Sequence, residues 1–165
     1  MEATNNKSVA NTSRNYLASQ YSTFLVNGKM YAIAVDKVQE IVKTLPLTPV
    51  PHAPNYVRGL INLRGQIVTA IGLVELFETG EHSKPEMMNI ICHSDQQLIS
   101  LLVDQVGDVI ELREQDFQAT PPTLTPAVAR VISGVAKADK NLFCIIDLEK
   151  LSVVFQQSSG VSHAR

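Results

Sequence analysis

The chain has no tryptophan, and only 5% of its 165 residues are aromatic. A protein that binds single-stranded nucleic acid stacks bases on aromatic rings along a basic groove. Fourteen Lys and Arg against sixteen Asp and Glu give a net charge of −2, so the basic field is missing as well. Nucleic acid is therefore not an expected partner. The two cysteines, Cys92 and Cys144, provide no disulfide framework and are expected to stay reduced and pack as small hydrophobes. No apolar run approaches the roughly 18 residues of a membrane helix, and the polar first twenty residues lack the apolar stretch of a secretory signal. A cytoplasmic chain without direct membrane insertion is expected, and Asn11-Thr12-Ser13 is read as a chance match to the glycosylation pattern.

Motifs of defined chemistry are absent too. The sequence contains no Gly-x-Ser-x-Gly, Gly-x-Gly-x-x-Gly, P-loop, Cys-x-x-Cys or His-Glu-x-x-His. No catalytic residue, cofactor or metal is therefore assigned. His52, His82 and His163 fall in polar or proline-rich stretches and read as solvated side chains. Cys92 and His93 adjoin in an expected strand and point to opposite faces, leaving a Cys92, Cys144 and His93 group as the remaining, disfavoured, ligand combination.

What the chain does contain is a repeat. Thr23 to Val35 reads as two apolar runs about Asn27-Gly28, a strong hairpin signal. Tyr31–Val42 lies over Ile99–Ile110 at an offset of 99 − 31 = 68, both reading Val-Asp-x-Val-x-acid-apolar-apolar. Gly59–Leu76 lies over Gly134–Leu151 at 134 − 59 = 75. Two matches in the same order indicate a duplicated module of about 70 residues, rich in short Val and Ile strands, hence a pair of small barrels or sandwiches.

Several local expectations follow. Asp36 and Asp104 are each followed by apolar residues three apart and are read as caps of short helical turns, as is Asp147 before Leu148–Leu151. Pro46, Pro49, Pro51 and Pro54 mark one long connection, and Pro121, Pro122 and Pro126 another. Residues 1–18 and 156–165 are polar and read as disordered tails. Gly59 and Gly134 are shared by the modules and suit a bend or close backbone approach, while Gly65 supplies a positive φ in the turn after Leu63. Arg58 and Arg64 have no counterpart, since the second module carries Ser133 and Asp139 there, so the arginines are where a protein partner is sought.

With these residues in view, the chain resembles the CheW family of chemosensory coupling proteins. The resemblance rests on Tyr31–Ile41, Val57–Gly65, Leu102–Val109 and Ile146–Leu151, in order, and runs over about residues 18–155. It implies an all-β fold of two SH3-like five-stranded barrels that exchange elements, with module one at about 19–85 and module two at about 86–155. It also implies a non-catalytic adaptor, located at receptor arrays beneath the inner membrane. Its partners would be a chemoreceptor cytoplasmic hairpin tip and the regulatory domain of a CheA-type histidine kinase.

By resemblance, the receptor-facing groove between the barrels falls on Val38, Glu40, Gly59, Arg64, Val106 and Val109, with Arg58 at a kinase-binding or nearby interface. One departure stands out: Thr69-Ala-Ile-Gly-Leu73 replaces a family proline and aspartate, so Gly72 cannot cap the next turn and that edge is expected to be looser than the one at Asp147. An adaptor of a divergent chemosensory pathway, such as surface motility, is the alternative reading.

Overall fold

Strand-forming runs and tight turns alternate through the computed structural model, which describes residues 19–86, 88–94 and 97–159. The elements are β1 (Ser19–Val26), β2 (Lys29–Ala34), β3 (Val38–Lys43), β4 (Val57–Leu63), β5 (Gln66–Gly72), α1 (Leu73–Phe77), β6 (Met88–His93) and β7 (Leu98–Val103). They continue with β8 (Gln105–Leu112), β9 (Phe117–Gln118), α2 (Pro126–Ala129), β10 (Ile132–Ala138), β11 (Asn141–Ile146) and α3 (Leu148–Ser159). The expected tail at 1–18, and residues 160–165 of the expected tail at 156–165, lie outside the described residues. The boundary at 156 is corrected, because the backbone of α3 stays helical through Ser159.

Three hairpins use two-residue turns with both residues at positive φ: Asn27 and Gly28 (51° and 81°), Arg64 and Gly65 (52° and 89°), Asp139 and Lys140 (48° and 68°). This is the turn whose twist matches that of the flanking strands. Gly65 therefore takes the positive φ that the sequence assigned to it, and its N–H donates to Asn62 Oδ1 at 2.7 Å.

The strands form two sheets, ordered β8-β1-β2-β11-β10-β9 and β3-β6-β7-β5-β4. The sequence modules 19–85 and 86–155 are units of the repeat, whereas the sheets interleave them: module one places β1 and β2 in the first sheet and β3–β5 in the second, while module two places β6 and β7 in the second and β8–β11 in the first. β3 pairs with β6, and β8 pairs with β1. The registers obey the repeat, since Val38↔Cys92 corresponds to Phe24↔Val106 (106 − 38 = 92 − 24 = 68). The parallel pair Thr69↔Ile99 likewise corresponds to Cys144↔Tyr31 (144 − 69 = 75, 99 − 31 = 68).

Asp36 and Asp104 occupy these two crossovers, which corrects their assignment as caps. Asp36 lies within a single 3-10 turn, Val35–Lys37, that has no side-chain cap. Asp104 joins β7 directly to β8, its Oδ2 accepting from Asn27 N at 2.7 Å. Val38, Ile41, Val106 and Val109 are strand residues; β3 has a register shift after Val38 and β8 pairs across one in β1, and apolar spacing alone does not separate such strands from helical turns. Asp147 does cap α3, accepting from Lys150 N at 3.1 Å, an interaction of about 1 kcal/mol. Pro126 is also corrected, from connection to first residue of α2, where its missing N–H costs nothing and Thr125 caps.

Beyond β3 and β8 the chain turns back and pairs with the far edge of the same sheet. Thr48 exchanges two backbone hydrogen bonds with Leu60 of β4, at 2.9 and 2.8 Å. In the second module Gln118 of β9 pairs with Val135 of β10, the repeat equivalent of Leu60 (135 − 60 = 75). Gly59 and Gly134 lie beside these pairings at register shifts, with φ of 145° and 156°. A Cβ on Gly59 would sit 2.6 Å from Thr48 O, and one on Gly134 3.3 Å from Gln118 O, so both glycines serve close backbone approach.

Each sheet encloses a small apolar interior: Ile61, Leu63, Val68, Ile91 and Leu102 in one, Leu112, Ala136, Phe143 and Ile145 in the other. The larger core lies between them and joins Phe24, Tyr31 and Ile33 to Ile71, Ile90, Ile99 and Leu101. Helices α1 and α3 seal it with Leu73, Leu76, Phe77, Leu148 and Leu151, and Phe77 stacks on Tyr31 at 4.8 Å between ring centroids. Each fully buried leucine or phenylalanine contributes about 1.5–3 kcal/mol. This shared seam fixes the two modules against each other.

Candidate functional site

The groove candidates divide among four places. Val38 and Val106, equivalent under the 68-residue repeat, are half-buried and pack against the seam core from β3 and β8. Glu40 and Arg64 meet directly: Arg64 Nη2 donates to Glu40 Oε1, linking the β4–β5 turn to β3. These strands form opposite edges of one sheet, so the pair spans the line where that sheet curls on itself. Val109 is 56% exposed on β8, and Gly59 is buried in β4 against Thr48.

Arg64 retains most of its surface, its side chain being 69% exposed, so the ion pair leaves its remaining donors in solvent. The Arg64 hydrogen bond holds the Glu40 carboxyl below its usual range. Repeat equivalence places Asp108 and Asp139 at the positions of Glu40 and Arg64 (108 − 40 = 68, 139 − 64 = 75). The second module thus replaces an ion pair with two exposed acids, and the two barrels present different charge at equivalent edges.

Arg58 is not at that edge. It is half-buried, and its Nη1 donates to Glu86 Oε1 at 2.5 Å and lies 3.4 Å from Glu75 Oε2. His82, expected to be merely solvated, places Nε2 2.6 Å from Glu75 Oε2. Burial pushes the Glu86 carboxyl above its usual range, opposed by Arg58. Gly72 has a role here: a Cβ would come within 2.8 Å of Arg58 Cγ and also meet the Glu75 carboxylate. The turn after Gly72 has no side-chain cap, as expected, yet Leu73, Val74, Leu76 and Phe77 are all buried and hold it by packing. The expected looseness is thus countered by that burial.

Cys92 and His93 do take opposite faces of β6, buried and exposed respectively. Burial raises the Cys92 thiol to about 12, and Cys144 is also raised. Among the described residues, the side chains that converge as a potential ligand group are Glu75, His82 and Glu86 rather than the cysteines.

Sequence reasoning missed one feature that the repeat could have revealed. Among the described residues, four of the six large exposed apolar side chains form two equivalent pairs, Ile41 with Val109 (109 − 41 = 68) and Ile67 with Leu142 (142 − 67 = 75). Ile67 and Leu142 are 62% and 50% exposed, on the equivalent strands β5 and β11. Recurrence at matched positions separates them from isolated surface hydrophobics.

Two interleaved small barrels on one seam, with charged and apolar side chains left on their edges, define an all-β interaction module. Its relatives identify the class more narrowly. The CheW-like domain model matches residues 20–154, and the chain belongs to the CheW family. It is 31% identical over 137 residues to the chemotaxis protein CheW of Treponema pallidum, covering 80% of this chain and 81% of that protein. Identity to the Bacillus subtilis chemotaxis protein CheW is 32% over 125 residues, covering 75% and 80%. The crystal structure of the scaffolding protein TtCheW from Thermoanaerobacter tengcongensis superposes with a TM-score of 0.72 at 30% identity, covering 79% of this chain and 89% of that one.

Proposed function

We propose that this chain is a non-catalytic scaffold that couples chemoreceptor tips to a CheA-type histidine kinase in chemotaxis signalling. Family membership across residues 20–154, nearly all of the described chain, carries this reading. The scaffold works in the cytoplasm at receptor arrays beneath the inner membrane. No helix among the described residues is long and apolar enough to cross a membrane.

The receptor hairpin tip docks along the seam rim at Val38 and Val106 and reaches the Glu40–Arg64 edge. The kinase regulatory domain takes a separate edge. An exposed guanidinium already oriented by Glu40 supports the receptor assignment, since less side-chain freedom is lost when it binds. Arg58 is tied to Glu75 and Glu86, so its contribution to a kinase interface is chiefly through the surface around it.

Arg64→Ala tests the reading. The residue is exposed and the fold should be retained, while assembly with a receptor cytoplasmic tip and a CheA-type regulatory domain weakens by about 2 kcal/mol, roughly thirtyfold. Ternary assembly at wild-type strength, measured by pull-down and titration, would remove Arg64 from the interface. Failure of the wild-type chain to capture either partner would overturn the function itself.

A further inference from the structure

Glu75, His82 and Glu86 come from α1 and the connection before β6, yet one ligand atom from each lies within 4.8 Å of the others. Both carboxylates keep one oxygen in reserve. Glu75 Oε1 and Glu86 Oε2 are buried without a hydrogen-bond partner, and the Glu86 side chain is only 10% exposed. An orphaned buried carboxylate oxygen is costly, so its retention calls for a ligand. The connection bearing His82 is held in place by Asn27, which accepts from Ser83 N at 2.7 Å and donates to Glu81 O at 2.9 Å. The absence of a side chain on Gly72 makes room for the Glu75 carboxylate.

Charge supports the same conclusion. Two carboxylates against Arg58 and a neutral His82 leave the cluster one negative charge in excess. A divalent cation held by both carboxylates and a neutral imidazole gives zero net charge, provided that Arg58 turns into the solvent its half-exposed side chain already reaches. Imidazole with carboxylate oxygens suits the zinc class of ions rather than calcium or magnesium, which prefer all-oxygen shells. Three protein ligands with one open position make a recognised zinc arrangement.

We propose that Glu75, His82 and Glu86 form a binding site for one divalent ion of the zinc class, with Arg58 as its built-in competitor. The ion ties α1 to the connection before β6, and Arg58 holds the carboxylates when the ion is absent.

The test is titration of the full chain with Zn²⁺ by calorimetry, and with Co²⁺ by its visible absorption. One site per chain is expected. His82→Gln and Glu86→Gln should each weaken binding at least roughly tenfold, by analogy with the losses seen for even indirect ligand support. Arg58→Met should strengthen it, because a competing cation is removed, and added Zn²⁺ should raise the thermal midpoint of that variant more than that of the wild type. His82 is on a surface connection, so His82→Gln decides the matter even if Glu86→Gln misfolds. No binding by either the wild type or Arg58→Met would overturn the proposal. So would binding unaffected by His82→Gln, or a sulfur-to-cobalt charge-transfer band pointing to the cysteines.

Discussion

Replacing Gly59 with alanine should destabilise the fold far more than the same change at Gly134, although the two are equivalent in the repeat. Both have a φ that alanine adopts only under strain, 145° and 156°, at a cost of about 1–3 kcal/mol. Their surroundings differ. The new Cβ would be 2.6 Å from Thr48 O at position 59 but 3.3 Å from Gln118 O at position 134. The first contact cannot persist, so the Thr48–Leu60 bridge must shift, endangering two backbone hydrogen bonds worth about 1 kcal/mol each. The expected losses are about 3–4 kcal/mol for Gly59→Ala and about 1–2 kcal/mol for Gly134→Ala. At a urea m-value of about 2 kcal/mol/M, the first moves the midpoint by roughly 1.5–2 M and the second by less than about 1 M. Urea unfolding followed by circular dichroism reads both. Equal losses, or a loss below about 1 kcal/mol at Gly59, would refute the idea that the bridge closes the sheet through that glycine.

Gly72→Ala should cost about 1–2 kcal/mol through overpacking against Arg58, and much less in an Arg58→Ala background; additive effects in that double-mutant cycle would exclude the contact. Arg64→Ala should return the Glu40 carboxyl upward to its ordinary range, as read by its NMR titration. Because the Glu40 pKa is depressed in the folded state, the stabilisation from this pair is present above the unfolded value of about 4.3 and is lost as pH falls through the folded one. The pair is exposed, so salt should weaken the effect, and an unchanged midpoint would count against it. A thiol reagent should label Cys144 before Cys92, which is fully buried with its thiol raised to about 12. Equal labelling rates in the native protein would contradict the seam packing.

The strands and their pseudo-symmetry were legible because a repeat in sequence becomes a repeat in register, and the Asn27-Gly28 and Arg64-Gly65 turns were legible from local backbone preference alone. Gly59 was legible because the repeat carries a glycine, Gly134, at the equivalent position. The caps assigned to Asp36 and Asp104 failed because an acid followed by apolar residues three apart also fits a bent strand, and the choice depends on a partner far along the chain. That partner choice, β3 with β6 rather than with β1, has no local signature. The resemblance supplied the exchange in outline, and the sheet order supplied the strands. At the site, Glu40 and Arg64 were both named beforehand, but their contact joins positions 24 apart. The Arg58, Glu75, His82 and Glu86 cluster was invisible, since it draws on β4, α1 and an irregular connection that only folding brings together.

The division of each module between the two sheets has a mechanical consequence. Two chain crossings, at Val35–Lys37 and at Asp104, run from one barrel into a strand zipped into the other. A load applied to one barrel therefore reaches its neighbour through two covalent crossings as well as through the apolar seam, and separating the two sequence modules requires the β1–β8, β2–β11, β3–β6 and β5–β7 pairings to be broken. Neither sequence module could yield a self-sufficient barrel: residues 19–85 lack β6 and β7 of one sheet and β8–β11 of the other, and residues 86–155 lack β3–β5 and β1–β2, so severed halves should regain structure only when mixed. A scaffold built this way gains stiffness from the interlock of its two modules, without any added mass.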